Sequence, residues 1–258
     1  MRLYWRYLSI HLRSQMQYRG SFFMLLLGQF LGSFSAFAGM YFLFSRFHQV
    51  EGFRLPEVML CFSVVLTAFS LSECFARGFD RFPTMLGNGT FDRVLLRPRS
   101  PVFQVLGQQM DFSRLGKLLQ AVLMLAYAVP FSGVVWTPGK MALLGFMILG
   151  GMAAFSGLFM IYAAVSFFTT EGLEFMNIFT DGGREFGAYP FAIYGNEVLR
   201  LLTFVVPLAM FQYYPLLVLL GRTQQLAYAL TPAACLAFWV PCYGLWRIGL
   251  RHYKSTGS

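Results

Sequence analysis

MALLGFMILGGMAAFSGLFMIYAAVSFFTT, residues 141–170, contains no Asp, Glu, Lys or Arg, and Lys140 and Glu171 close it on either side. A hydrocarbon core of ~30 Å is crossed by about 20 residues of α-helix, so this block is long enough to span a bilayer. Its apolar residues run on continuously instead of alternating, which excludes the strands of a transmembrane β-barrel. Working outward, comparable blocks place helices at about 21–44, 56–75, 115–136, 195–212 and 226–247, with this one at 141–168. The 26 uncharged residues between Arg19 and Arg46 and the 22 between Lys117 and Lys140 mark two of them. The fifth is short. The expected fold is an all-α integral membrane protein of six transmembrane helices in a single domain, residues 1–258.

The composition agrees. Of 258 residues, 57% are hydrophobic and only 12% charged, whereas a soluble domain is roughly 25% charged. One compact globule of this size cannot hide so much apolar side chain, so lipid is the solvent for much of the surface. The net charge of +9 comes from 20 Lys+Arg against 11 Asp+Glu. These basic residues flank the apolar blocks and no separate basic domain exists, so the charge points to membrane lipid headgroups and excludes nucleic acid. With the N-terminus in the cytoplasm, 16 of the 20 basic residues fall inside, and only Arg46, Arg54, Lys140 and Arg222 fall outside. That is the asymmetry of the positive-inside rule, and six spans return the C-terminus to the cytoplasm. Residues 1–20 hold four arginines and no compact apolar segment, so they do not read as a cleavable signal.

Several segments are not simple spans. Residues 2–17 read as an amphipathic interfacial helix. At 100° per residue, Arg2, Arg6, Ser9, Arg13 and Gln17 share an arc of about 80°, beside a stripe of Trp5, Leu8, Leu12 and Met16. The arginines of that helix, Arg2, Arg6 and Arg13, are placed to reach lipid phosphates. Gly28, Gly32 and Ala36 recur every fourth residue, a stripe that permits close approach of another helix. In the long cytoplasmic loop 76–114, the run Gly89-Thr90-Phe91-Asp92-Arg93-Val94-Leu95-Leu96-Arg97-Pro98 reads as a short helix. Thr90 is its candidate N-cap, Asp92 sits in the first turn where the dipole favours an acid, and Pro98 ends it. Leu95 and Leu96 put an apolar patch beside that acid, suited either to a soluble partner or to a solvated loop held inside by its arginines. Residues 170–197 are acidic and interrupted by Gly182-Gly183 and Pro190, and read as a cytoplasmic connection with short helices. Pro207 and Pro215 break the next apolar block, so 213–221 is expected either as a short re-entrant helix before the last span or as a proline kink.

Enzyme chemistry is not legible. Gly139-Lys140 imitates the tail of a phosphate-binding loop, but Met141 stands where Ser or Thr is required. No HExxH, GxSxG or CxxC occurs, and Cys61, Cys74, Cys235 and Cys242 lie in or beside apolar runs as packing thiols. No metal site or cofactor is expected. A self-sufficient channel or an ion-coupled carrier is the alternative class, but the carboxylates lie at span ends, where loop salt bridges explain them. A lipid-modifying enzyme finds no cluster of polar groups to work with.

The loop and its surroundings resemble the permease subunits of ABC-2 type ABC transporters, in the bacterial branch where two related permeases pair with a separate ATPase. The pattern Gly-Thr-apolar-acid-x-apolar-Leu-x-x-Pro is met at Gly89, Thr90, Phe91, Asp92, Leu95, Leu96 and Pro98, and Tyr189-Pro190, Arg200, Pro207 and Pro215 fit the same branch. The resemblance implies a permease of an ATP-driven exporter in the bacterial cytoplasmic membrane, with no enzyme activity of its own. It implies two copies of an ABC ATPase subunit and a second permease, identical or homologous. Residues 86–98, including Arg97, would form or flank the element that couples to the ATPase, and the segment after span five would be re-entrant on the outer side. One departure stands out: Pro83-Thr84-Met85-Leu86-Gly87-Asn88 replaces the Glu-Arg or Arg-Glu pair that often precedes the Gly-Thr.

Overall fold

The computed structural model describes residues 2–169 and 177–254. The described residues are helical, in the order α1 (Arg2–Gln17), α2 (Arg19–Arg46), α3 (Leu55–Asp80), α4 (Phe82–Gly87), α5 (Thr90–Leu95), α6 (Pro101–Gln108), α7 (Leu115–Phe131), α8 (Pro138–Val165), α9 (Asn177–Phe186), α10 (Asn196–Phe204), α11 (Leu208–Leu219), α12 (Pro232–Ala237) and α13 (Trp239–His252). Glu171 and Glu174 lie outside the described residues.

Among the described residues, five stretches are long and apolar enough to cross a membrane: Arg19–Arg46, Leu55–Gly87, Phe112–Phe131, Pro138–Val165 and Leu226–His252. A sixth crossing requires α10 and α11 together, and these meet at 113°. α3 is the central helix, packed on α7, α8, α6 and α11. It is buried on every side from Val58 to Ser70, as an all-round apolar helix must be. α2 lies at the periphery, with only Phe22, Ser33, Met40 and Phe44 buried.

The helices meet where glycine removes a side chain. A Cβ at Gly116 of α7 would overlap the Leu26 carbonyl of α2, and one at Gly78 of α3 would overlap the Val105 carbonyl of α6. On α8, Gly150 faces Pro232 and Gly151 faces Ala68 and Phe211. By contrast, a Cβ at Gly28 or Gly32 would meet nothing within 4 Å, so among the described residues nothing rests on these two glycines, whereas Ala36 packs against the core.

Three segments differ from the sequence reading. α7 stops at Phe131, not 136, because Pro130 weakens the last turn and Gly133 takes a left-handed φ of 70°. The break lies inside the expected fifth span, at Val205–Pro207, where Pro207 has no N–H to continue a helix. Residues 213–219 therefore belong to α11, which begins at Leu208 and carries Pro215 inside it without interruption. Finally, the described part of the acidic connection, 177–195, carries the expected short helices but does not stay at the surface. A Cβ at Gly183 would touch Leu208 and one at Gly187 would touch Val65, so this stretch penetrates the bundle beside the middle of α3. Its backbone is satisfied there by Gln212 of α11, whose Nε2 donates to the Tyr189 carbonyl at 2.8 Å.

At the end away from α1, Arg222 pairs with Glu57 at 2.7 Å, donates to the Gly52 carbonyl at 2.8 Å and lies over the Phe53 ring. Lys140 donates to the Leu219 carbonyl at 3.0 Å. The exit of α11 is thus tied to the starts of α3 and α8.

Replacing Gly116 by Val should force α2 and α7 apart and lower the stability of the purified protein by about 1–3 kcal/mol. Gly145→Ala, on an open face of α8 where nothing lies within 4 Å, should leave the thermal midpoint unchanged or raise it. Equal midpoints for both variants would remove the close α2–α7 approach from the account.

Candidate coupling element and buried charge cluster

Gly89 opens the loop helix with φ at 65°, a left-handed turn between α4 and α5 that a side chain resists. It occupies the N-cap position that the sequence assigned to Thr90. The Thr90 hydroxyl instead donates back to the Met85 carbonyl at 3.2 Å. Phe91, fully buried, enters an aromatic socket made of Phe82 (centroids 4.8 Å), Phe167 (5.7 Å), Tyr253 (5.2 Å) and Trp246. Those rings come from the adjacent α4, from just beyond α8 and from the end of α13, so α5 is bolted to its neighbour and to two elements distant in sequence. Asp92 adds a polar anchor, accepting a hydrogen bond from the Tyr253 hydroxyl at 2.9 Å. Partial burial, that bond and the Asp92 charge push the Tyr253 hydroxyl up to about 12. Gln104 closes the loop by donating to the Val94 and Arg99 carbonyls, each at 3.1 Å.

The other side of the same element is bare. Leu95, Leu96, Arg97 and Pro98 are exposed, Leu96 to 85% of its surface. A leucine so exposed next to three arginines, Arg93, Arg97 and Arg99, offers apolar and charged contacts together.

Two turns before the end of α3 sits the feature that sequence reasoning missed. Glu73 is 2% exposed and faces three cations: Lys117 at 2.7 Å, Arg77 at 3.0 Å and Arg114 at 3.1 Å. A carboxylate removed from water is tolerated only when its charge and lone pairs are answered, and here they are. The ring of charge extends outward, since Arg77 also pairs with Asp80 at 3.2 Å and Arg114 with Asp111 at 3.0 Å. Arg114 donates further to Gln29 of α2 at 2.9 Å. Burial works against the charged form of Asp111, but hydrogen bonds from Ser113 and the Arg114 charge outweigh it and hold the carboxyl below the ordinary range. The available signal was opposite charge at i,i+4 in the last turns of one span and at i,i+3 in the first turns of the next.

α1 docks onto this junction. Gln15 donates to the Met110 carbonyl at 2.6 Å and accepts from the Phe112 amide at 3.0 Å, and His11 meets the Gly107 carbonyl at 3.0 Å. Tyr7, Leu8 and Met16 pack inward, while Trp5, Leu12, Arg6 and Arg13 remain exposed. The side chain of Arg2 lies outside the described residues. The amphipathic helix therefore has one protein face, read from Tyr4, Tyr7, Leu8, His11 and Gln15, which the 80° arginine arc did not reveal.

A polar cavity of about 270 Å³ lies between α2 and the penetrating segment, lined by Gly28, Gly32 and Ala36 on one side and Lys117, Arg184 and Glu185 on the other. Arg184 pairs with Glu185 and stacks on Phe69 at 5.2 Å. Phe69 is about 16 Å along α3 from Asp80, so this charge sits deep in the bundle and not in a surface loop. Irregular backbone and ionisable groups at such depth occur where they are buried in protein or line a water-filled cavity. No group of three or more side chains suited to holding a metal ion occurs among the described residues.

The long apolar helices, the bent pair and the deep charges define a polytopic α-helical membrane protein. The chain belongs to a transporter family: residues 30–257 match the ABC-2 family transporter proteins, whose members are typically non-catalytic membrane subunits. No curated protein and no solved structure matches it.

Glu73→Ala should strip the acid from three buried cations and lower stability by about 3–5 kcal/mol in a thermal or denaturant titration. In Glu73→Met/Lys117→Met, Arg77 keeps Asp80 and Arg114 keeps Asp111. The double variant should regain much of the loss, and a loss equal to the sum of the singles would show that the cluster does not act as a unit.

Proposed function

We propose that the chain is the membrane permease of an ATP-driven exporter, coupled to a separate nucleotide-binding subunit through residues 86–98. The observation that carries this reading is the two-sidedness of α5: Phe91 and Val94 are buried in the bundle, while Leu95 and Leu96 stand out from it. An element held on one side and apolar on the other is fitted to take a push from a soluble partner and pass it to α8 and α13. Family membership supports an ATPase partner in general. In this reading, two ATPase copies bind two permeases, identical or homologous, in a bacterial cytoplasmic membrane with both termini on the ATPase side. In the stripe of Gly28, Gly32 and Ala36 beside the polar cavity, the two uncovered glycines support a second permease seated near α2. Pro207 breaks the fifth crossing, and α11, carrying Pro215, forms the re-entrant limb on the outer side.

An acid on the polar cavity, Glu185, is the feature a second reading would use, an ion-coupled carrier or a channel, but its side chain is exposed and paired with Arg184. Glu73 does not add to it, because its charge is already answered by three cations.

The test uses the purified permease with its ATPase subunit in proteoliposomes. Leu96→Asp should leave the thermal midpoint unchanged yet weaken ATPase binding at least tenfold and abolish permease-stimulated hydrolysis, since apolar anchors dominate interfaces of this kind. Asp92→Arg should uncouple as well, while Tyr253→Phe, which retains the aromatic socket, should couple nearly normally. Unchanged stimulation in Leu96→Asp and Asp92→Arg would sink the coupling assignment, and robust flux without any ATPase would favour the carrier.

A further inference from the structure

A second cavity, of about 320 Å³, lies between α2, α3 and α7, with Gln120 of its lining one helical turn along α7 from Lys117 of the charge cluster. Its walls are mostly rings, among them Phe30, Phe34, Phe37 and Tyr127, with thioethers and two leucines between them, and none of its described lining residues is charged. Into this lining comes Gln120, in the second turn of α7 and only 3% exposed. Neither its amide oxygen nor its amide nitrogen has a hydrogen-bond partner among the described residues. A buried amide left unpaired costs about 1–3 kcal/mol for each unmet group, and the deep glutamine of α11, Gln212, shows the ordinary solution by donating to the Tyr189 carbonyl. Gln120 has the same burial without that answer.

We propose that this cavity is a binding site for a neutral, ring-containing lipophile that carries one hydroxyl or carbonyl, taken up from the bilayer. Each part of that description follows from the lining. The rings offer faces and edges for stacking, which suit a rigid cyclic body. The uncharged walls offer no counter-charge, so an ionised or zwitterionic headgroup would be desolvated without return. The amide presents one donor and one acceptor to a single polar group. The acyl chain of a phospholipid would fill the space but leave Gln120 unanswered. The size lies at the lower end of small-molecule sites. Access is lateral, because Phe34, Tyr41, Leu123 and Tyr127 on the rim are exposed. Calling the ligand a cargo rests on the transporter reading. The site itself does not, because binding is measured without the ATPase.

The experiment titrates the full chain in nanodiscs with 4-phenylphenol and with biphenyl, two probes that differ by one hydroxyl. Wild-type protein should bind 4-phenylphenol at least fivefold more tightly than biphenyl. Gln120→Leu should lose that preference while still binding biphenyl, and its unliganded thermal midpoint should be no lower than that of wild type. Gln120→Met is the alternate variant if the leucine packs poorly. Phe34→Ala should weaken both probes. Equal affinities in wild type, or a preference retained without Gln120, would overturn the assignment. So would a co-purifying phospholipid that neither probe displaces. A permease that binds but fails to couple would leave this site standing and remove only the coupling element.

Discussion

A carboxylate cannot sit unanswered in a bilayer, and the answer to Glu73 organises one end of this molecule. Its three cations come from α3 itself and from the start of α7, which fixes the register of those two helices against each other. Arg114 then carries the constraint to Gln29 on α2 and to Asp111 in the preceding turn. The same turn receives α1 through Gln15. Four elements, α1, α2, α3 and α7, are therefore keyed to one buried charge. Close packing at Gly116 and Gly78 completes the arrangement by letting backbones touch where the side chains have already set the alignment.

The aromatic socket around Phe91 does comparable work for the other half of the bundle. Phe82 and Phe79 of the α3–α4 corner, Phe167 beyond α8, and Trp246 and Tyr253 at the end of α13 converge on it. A displacement of α5 cannot be absorbed locally, because tightly packed rings transmit strain. It has to be shared with the ends of α3, α8 and α13. The charge cluster lies two turns further along α3, so the two systems meet on one helix.

The spans were legible because a long uncharged apolar run has only one solvent-compatible structure in lipid. The family followed from the loop pattern at Gly89 to Pro98, since such a motif is local in sequence. What stayed hidden was long-range. Glu73 and Lys117 are 44 residues apart, and each alone reads as an end-of-helix charge. Arg184 looked like part of an acidic surface connection, because Gly182-Gly183 and Pro190 signal a loop wherever they occur. In the structure Gly183 lets α9 approach Phe155 and Leu208. The position of the elbow was misread for a simpler reason: two prolines, Pro207 and Pro215, could each break a helix, and only Pro207 lies where the neighbouring backbone bends away. Amphipathicity likewise located α1 but not its docked face, since tyrosine, histidine and glutamine carry weak hydropathy signals while making specific hydrogen bonds.

The order of the chain gives the charge cluster a history as well as a geometry. Glu73 is synthesised 44 residues before Lys117, and at about 5–20 residues per second that is an interval of roughly 2–9 s. As α3 emerges and enters lipid its acid is already in place, while two of the three cations still trail behind it in the chain. Arg77 is the exception, one helical turn away on the same helix. Of the three it alone can pair with the acid before α7 is in place, and in the finished bundle it shares that acid with Lys117 and Arg114. The fold thus carries its own counter-ion through biogenesis, and the pairing that looks redundant in the finished bundle is the one available at the outset.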